Sequence, residues 1–173
     1  MQCSCVQKGR IPFYSIGAVS DYTFAPYKVV WREVAQRLDA AVAEQAAVPG
    51  IGLRPTVPDH TLILIPCQEK TEAHFICATL NSSPSRFIVQ NYIVLHPDPH
   101  ILERVRIPRF DAKNAVHQRL AELSNQAHRS TATGDSTHLL ELEQEIDEVV
   151  SKLWELTKEE ITDIQSSLME REQ

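Results

Sequence analysis

The chain has 173 residues, 43% hydrophobic and 23% charged, with a formal net charge of -6. This is a globular composition that excludes wholesale disorder and fibrous repeats, and 5 glycines leave little material for glycine-rich phosphate loops. No apolar run approaches the ~20 residues of a membrane span.

Met1 to Arg10 has no apolar signal core, so a cytoplasmic location is expected, and Cys3, Cys5, Cys67 and Cys77 read as reduced thiols. Phe13 to Gly17 is a short strand candidate. Tyr27 to Val34 is β-branched and aromatic with interspersed charges, a second strand. Ala35 to Ala47 is alanine-rich and suits either a helix or a mobile connection. Pro49 to Pro58 holds three prolines and two glycines and reads as a loop. Thr61 to Pro66 is a continuous apolar run, suited to a strand buried on both faces.

The period then changes. Ala73, Ile76, Cys77 and Leu80 fall on one face of a helix over Thr71 to Leu80. Asn81-Ser82-Ser83-Pro84 breaks it and opens another, with Ser83 as N-cap and Pro84 at the first helical position, continuing through Arg86 to Tyr92. His96 to Pro99 reads as a loop, His100 to Arg104 as a short helix and Ile107 to Phe110 as extended. From Asp111 onward, Val116, Leu120, Leu123 and Ala127 mark one amphipathic helix, ended by a polar linker at Ser130 to Ser136. Leu139, Leu142, Ile146, Val149, Val150, Leu153 and Trp154 mark a longer one. Thr157 and Glu160 form a capping box that opens a last helix. The expected class is α+β: a small mixed sheet with packed helices over residues 1–110, then a helical C-terminal hairpin over residues 111–173.

Charge divides along the same line. Residues 1–110 carry 11 Lys/Arg against 9 Asp/Glu, a net of +2, while residues 111–173 carry 6 against 14, a net of -8. Any contact with phosphates is therefore expected in the first part, with an affinity that falls steeply with salt. Lys28 and Arg32 share one face of the second strand, with Tyr27 and Trp31 on the other, an arrangement for phosphate or base-edge contact with stacking. A charged edge strand over a core Trp accounts for the same pattern. Arg10, Arg54, Arg86, Arg104, Arg106 and Arg109 are further cations, and Arg is the side chain whose fork reads guanine. Asn81, Ser82 and Ser83 sit at a helix N-terminus, where backbone N–H groups bind phosphate, although capping alone also explains them. Tyr22 lies in a turn-like region from which it can reach a groove.

Other chemistries have weaker footing. Structural zinc shows paired ligands two to four residues apart, twice; His74 and Cys77 form one such pair, Cys67 stands alone and Cys3 and Cys5 are too close. No metal is expected, and buried free cysteines are the simpler account. Asp59, His60 and Ser82 or Ser83 offer hydrolase groups without a nucleophile elbow. His117 and His128 are read as exposed polar positions. The apolar seam of the acidic helices either folds back on its own domain or meets a partner, which could be a catalytic domain or a second copy in a homodimer.

Five pieces in one order carry a resemblance. They are Tyr22 to Arg32; Pro58-Asp59-His60 with Glu72 to Pro84; Ile107 to Asp111; His117 to Ser124; and Glu145 to Val149 with Leu153 to Ile161. Together, spanning about residues 11 to 168, they resemble the C-terminal target-recognition region of adenine-specific DNA methyltransferases and single-chain restriction–modification enzymes. The resemblance implies a specificity domain that grips double-stranded DNA, non-catalytic by itself, with S-adenosylmethionine and the flipped adenine held by an upstream methyltransferase domain. This chain departs from the whole enzymes in lacking a glycine-rich cofactor loop and an Asn/Asp-Pro-Pro-aromatic motif, so no cofactor is expected in it. On this resemblance the candidate DNA-binding residues are Tyr22, Tyr27, Lys28, Arg32, Asn81, Ser82, Ser83, Arg86, Arg106 and Arg109. The alternative is a protein–protein interaction module that dimerises through its C-terminal helices.

Overall fold

Alternating apolar side chains make Tyr27–Arg32 a strand, β1, that turns Val29 and Trp31 into the core while Arg32 stays exposed. The computed structural model describes residues 20–35, 37–92 and 104–171. The proposed strand at Phe13 to Gly17, the loop at His96 to Pro99, nearly all of the helix at His100 to Arg104, and Arg10, Cys3 and Cys5 lie outside these. A short 3-10 turn at Asp21–Phe24 leads into β1. Four more strands follow: β2 at Ala41–Ala43, β3 at Ala46–Val48, β4 at Gly52–Arg54 and β5 at Leu62–Cys67. The sheet order is β2-β1-β5, with β3 and β4 paired separately as a two-stranded ribbon. Among the described residues every pair is antiparallel, so the α+β class holds while the sheet there is not mixed.

The alanine-rich stretch after β1 is extended, neither the helix nor the mobile connection that its composition suggests. Tertiary partners override alanine's helix preference. Asn81 Oδ1 accepts the Ala40 N–H at 2.8 Å while Asn81 Nδ2 donates to the Ala40 carbonyl at 2.8 Å. The Val42 N–H donates to His128 Nε2 at 2.9 Å. β5 also departs from expectation. It is an edge strand, half-buried from Leu62 to Ile65, and Pro66 is exposed, at an edge position that tolerates a missing N–H.

Five helices follow: α1 at Lys70–Asn81, α2 at Ser83–Tyr92, α3 at Ala115–Thr133, α4 at Ser136–Leu153 and α5 at Lys158–Arg171. The one-face pattern of α1 is half of its burial. Ala73, Cys77 and Leu80 pack with Val29, Trp31 and Leu38 against the sheet, while Phe75 and Ala78 pack with Leu120, Leu123, Ile146 and Val150 of α3 and α4. The helix is a middle layer with two apolar faces, as expected of a helix buried all round. The core thus runs across residue 110, and Trp154, Ile76 and Ile107 pack against both of its clusters.

Most helix ends follow their sequence signals; the exception is Ser83, which is the first residue of α2 and not its cap, its hydroxyl donating to Asp147. Asn114 caps α3, accepting from the Val116 N–H, and Gly134 ends it at φ +74, in the left-handed region that glycine enters without a Cβ penalty. Asp135 then caps α4, accepting the His138 N–H at 3.0 Å, so the linker is a tight turn of two capping residues. At α5, Thr157 N–H donates to Glu160 Oε2 at 2.7 Å and Glu160 N–H to Thr157 Oγ1 at 3.2 Å, the expected capping box. The Thr157 N–H, with the Thr157 side chain, holds the Glu160 carboxyl below its ordinary pKa. Among the described residues, no helix is long and apolar enough to cross a membrane.

Candidate nucleic-acid interface

The ten candidate residues divide into those the fold consumes and those it leaves at the surface. Lys28 is 1% exposed, and its Nζ donates to the Ala25 carbonyl at 2.6 Å. Burial pushes its pKa down, so this ammonium closes a turn and is not presented to a phosphate. Tyr27 is half-buried against the core beside Trp31, which removes the proposed stacking pair from the surface.

Asn81, Ser82, Ser83 and Arg86 are brought together, but around an internal joint. Asn81 holds Ala40 as described, and Ser82 Oγ donates to the Thr79 carbonyl at 2.7 Å. The N-terminus of α2 does bind an anion, and that anion is the chain's own Asp147. Its Oδ1 accepts the Ser83 N–H at 2.7 Å, and its Oδ2 accepts the Ser83 hydroxyl. A carboxylate in this place satisfies the Ser83 N–H and hydroxyl and complements the helix dipole, so a phosphate is not required there. Arg86 lies 3.7 Å from both Asp39 and Glu143, with its side chain 16% exposed and Nε buried without a hydrogen bond.

Tyr22, Arg32, Arg106 and Arg109 remain exposed. To these the structure adds a feature that the loop reading of Pro49 to Pro58 missed. The register of β3 and β4 pairs Ala46 with Arg54 and Val48 with Gly52. Pro49 and Gly50 occupy the turn, with Gly50 at φ +74 and the Ile51 N–H donating to the Val48 carbonyl at 3.0 Å. Thr56 Oγ1 donates to the Glu44 carbonyl at 2.6 Å and ties the base. Ala46, Ala47 and all of Gly52–Arg54 are exposed, and Ile51 and Leu53 are 56% and 62% exposed. The signal was present as a Pro-Gly pair between two short apolar runs.

Two concavities lie elsewhere. One, of about 260 Å³, is walled by Phe87 of α2, Trp154, Leu156 and Ile164 of α5, with Arg104 and Arg106 beside them. The other, of about 360 Å³, is polar and lies between α1 and α3, lined by Lys70, His74, Asn125 and Arg129. His74 Nδ1 meets Ser124 Oγ at 3.0 Å, and its ring lies edge-on to His128, with centroids 5.0 Å apart. His128 Nδ1 donates to the Ser124 carbonyl at 2.7 Å while Nε2 accepts from Val42. His117 is buried too, its ring 4.5 Å from that of Phe75 and its Nδ1 accepting the Asp111 N–H at 3.0 Å. The exposed positions expected for His117 and His128 are therefore corrected: both serve internal packing and hydrogen bonding.

His74 and Cys77 diverge, Cys77 Sγ pointing to the Ala40 carbonyl at 3.4 Å. Burial pushes the thiols of Cys67 and Cys77 up to about 12, which disfavours the thiolate that nucleophilic or metal chemistry needs. No group of three His, Cys, Asp or Glu side chains suited to a metal ion occurs among the described residues. No family model, curated protein or solved structure matches the chain.

Proposed function

We propose that this chain is a DNA target-recognition region, non-catalytic by itself, that serves an adenine-specific methyltransferase. The observation that carries the reading is the β3–β4 ribbon, a two-stranded unit open to solvent that ends in Arg54. The DNA major groove admits a two-stranded ribbon, an Arg fork suits guanine, and apolar side chains such as Ile51 and Leu53 suit thymine methyl groups. Exposed Arg32, Arg106 and Arg109 supply cations for phosphates, contacts that position a protein without reading sequence. The ordered likeness of residues 11–168 to methyltransferase specificity regions supports the same assignment. S-adenosylmethionine and the flipped adenine then belong to an upstream domain, which is a partner together with double-stranded DNA.

Fluorescence anisotropy with a mixed-sequence duplex at ~50 mM salt tests this reading, in the range where phosphate contacts dominate. Binding is expected to weaken steeply with salt, and Arg32→Ala with Arg109→Ala should flatten that dependence by about two counterions. A chain that binds no duplex at that salt, or binds independently of salt, contradicts the proposal.

One observation favours a second reading, a protein-interaction module. Ile51, Leu53 and Val57 expose apolar surface beside two strand edges that no other strand pairs with among the described residues, a combination suited to pairing with another chain. The C-terminal helices are less suited to that role, because Leu142, Ile146, Val149 and Val150 are buried in the chain's own core. Sedimentation distinguishes the readings: self-association that is lost on Leu53→Lys supports the second one.

A further inference from the structure

Side chains about one helical turn apart line both walls of the polar concavity between α1 and α3. Lys70 and His74 stand at i and i+4 on α1, and Glu122, Asn125 and Arg129 at i, i+3 and i+7 on α3. At about 360 Å³ the space falls within the ~300–1,000 Å³ of small-molecule sites. Its charges do not cancel. Lys70 Nζ pairs with Glu44 at 2.6 Å and Glu122 with Arg119 at 2.6 Å, which leaves Arg129 without an ion pair among the described residues. We propose that this concavity binds a phosphate group, with the Arg129 guanidinium as its main partner. The inference goes beyond the DNA-recognition reading and does not rest on it.

The groups around Arg129 fit the same ligand. His74, 3% exposed, is held by Ser124 Oγ at 3.0 Å from its Nδ1 and lies edge-on to His128. Asn125 Nδ2 lies 3.4 Å from His74 Nε2, and because an amide carries two N–H groups, one remains for an oxyanion. The Lys70 ammonium has three donors and commits one to Glu44. Arg129 is exposed, lines the space and bears electrostatically on the His74 ring within it. Burial is the main cause that lowers the pKa of that ring; His128, Lys70 and Arg129 lower it further, against Glu44, so the potential there is positive on balance. Guanidinium and ammonium groups bind phosphate oxygens through charge-assisted hydrogen bonds. Side chains already fixed by packing and hydrogen bonds lose little conformational entropy when a ligand enters.

The test uses the full chain and sulfate, a tetrahedral dianion whose charge does not change near neutral pH, with chloride at matched ionic strength as the control. Nitrogen–proton correlation spectra follow the side-chain amide of Asn125, with that of Asn91 on α2 as the reference. Sulfate should move the Asn125 signals saturably in the millimolar range and leave Asn91 in place, and chloride should move neither. Arg129→Gln, at an exposed position, should keep the fold and weaken binding about tenfold, the loss typical of one charge-assisted hydrogen bond. Glu44→Gln should instead tighten binding severalfold by releasing the Lys70 ammonium, whereas Glu159→Gln, the same change of charge on α5, should not. A short DNA duplex that displaces sulfate from the site identifies the phosphate as one of a nucleic-acid backbone; displacement by inorganic phosphate but not by duplex identifies it as part of a small molecule. No saturable movement of Asn125, the same movement with chloride, undiminished binding in Arg129→Gln, or equal effects of the two glutamate variants overturns the inference.

Discussion

Asp147 of α4 caps helix α2 through Ser83: one carboxylate oxygen accepts the backbone N–H at 2.7 Å and the other accepts the hydroxyl. The second oxygen also accepts from Gln165 Nε2 of α5 at 2.8 Å, so one side chain, 6% exposed, joins three helices. Hydrogen bonds to a charged group are worth about 1.5–3 kcal/mol each, and removing the acceptor leaves buried donors unpaired. Asp147→Ala should therefore lower stability by about 3 kcal/mol in urea unfolding, and Asp147→Asn by roughly half of that. A loss below about 1 kcal/mol for the alanine variant would mean that water replaces the carboxylate and the joint is not a rigid one.

Acid should weaken this fold partly through His74. Desolvation by burial, with His128, Lys70 and Arg129 nearby, pushes its pKa down from 6.5 to about 4. The unfolded chain then binds more protons between those values. The neutral ring's contribution is present above about 6.5 and is lost as the pH falls towards 4. The full shift corresponds to about 3 kcal/mol. Urea unfolding at a series of pH values should show this slope in the wild-type chain and a flatter one in His74→Asn. The ring should also stay neutral in proton spectra at pH values where an exposed histidine is charged. Equal slopes in the two proteins would remove His74 from the account.

Phe75 lies between the two halves of the chain. It is 0% exposed, with its ring 5.5 Å from Phe110 and 4.5 Å from His117. Phe75→Ala should cost about 3–5 kcal/mol, the usual range for an emptied aromatic site. A fragment ending at residue 110 exposes that ring and should show no cooperative thermal transition. A fragment that melts cooperatively would instead mark residues 1–110 as an independent domain.

The parts of this fold that were legible in the sequence are those set by local rules. The capping box at Thr157, the period of α4 and the alternation in β1 each depend on neighbours within a turn or two. What was hidden depends on distant partners. Residues Ala40 to Ala43 become extended because Asn81 and His128, far along the chain, hold the backbone at Ala40 and Val42. Asn81, Ser82 and Ser83 carry the residue types of a phosphate site, but only the fold reveals that Asp147 occupies it. Lys28 alternates like a surface cation, yet a carbonyl three residues earlier draws it inward. The ribbon was concealed for another reason: its strands are three residues each, too short for a period to register, and its turn residues dominate the reading.

The most direct measurement is duplex binding by a chain whose ribbon, residues 46–54, is replaced by a tight Asn-Gly turn. Among the described residues the ribbon pairs with no other strand, so its loss should leave the β2-β1-β5 sheet and the thermal transition intact. The account predicts that affinity for duplex DNA falls at least tenfold and that Arg54→Ala alone produces part of the loss, about 1–3 kcal/mol at a base contact. A ribbon-less chain that keeps its fold and binds DNA as tightly as the original would contradict it.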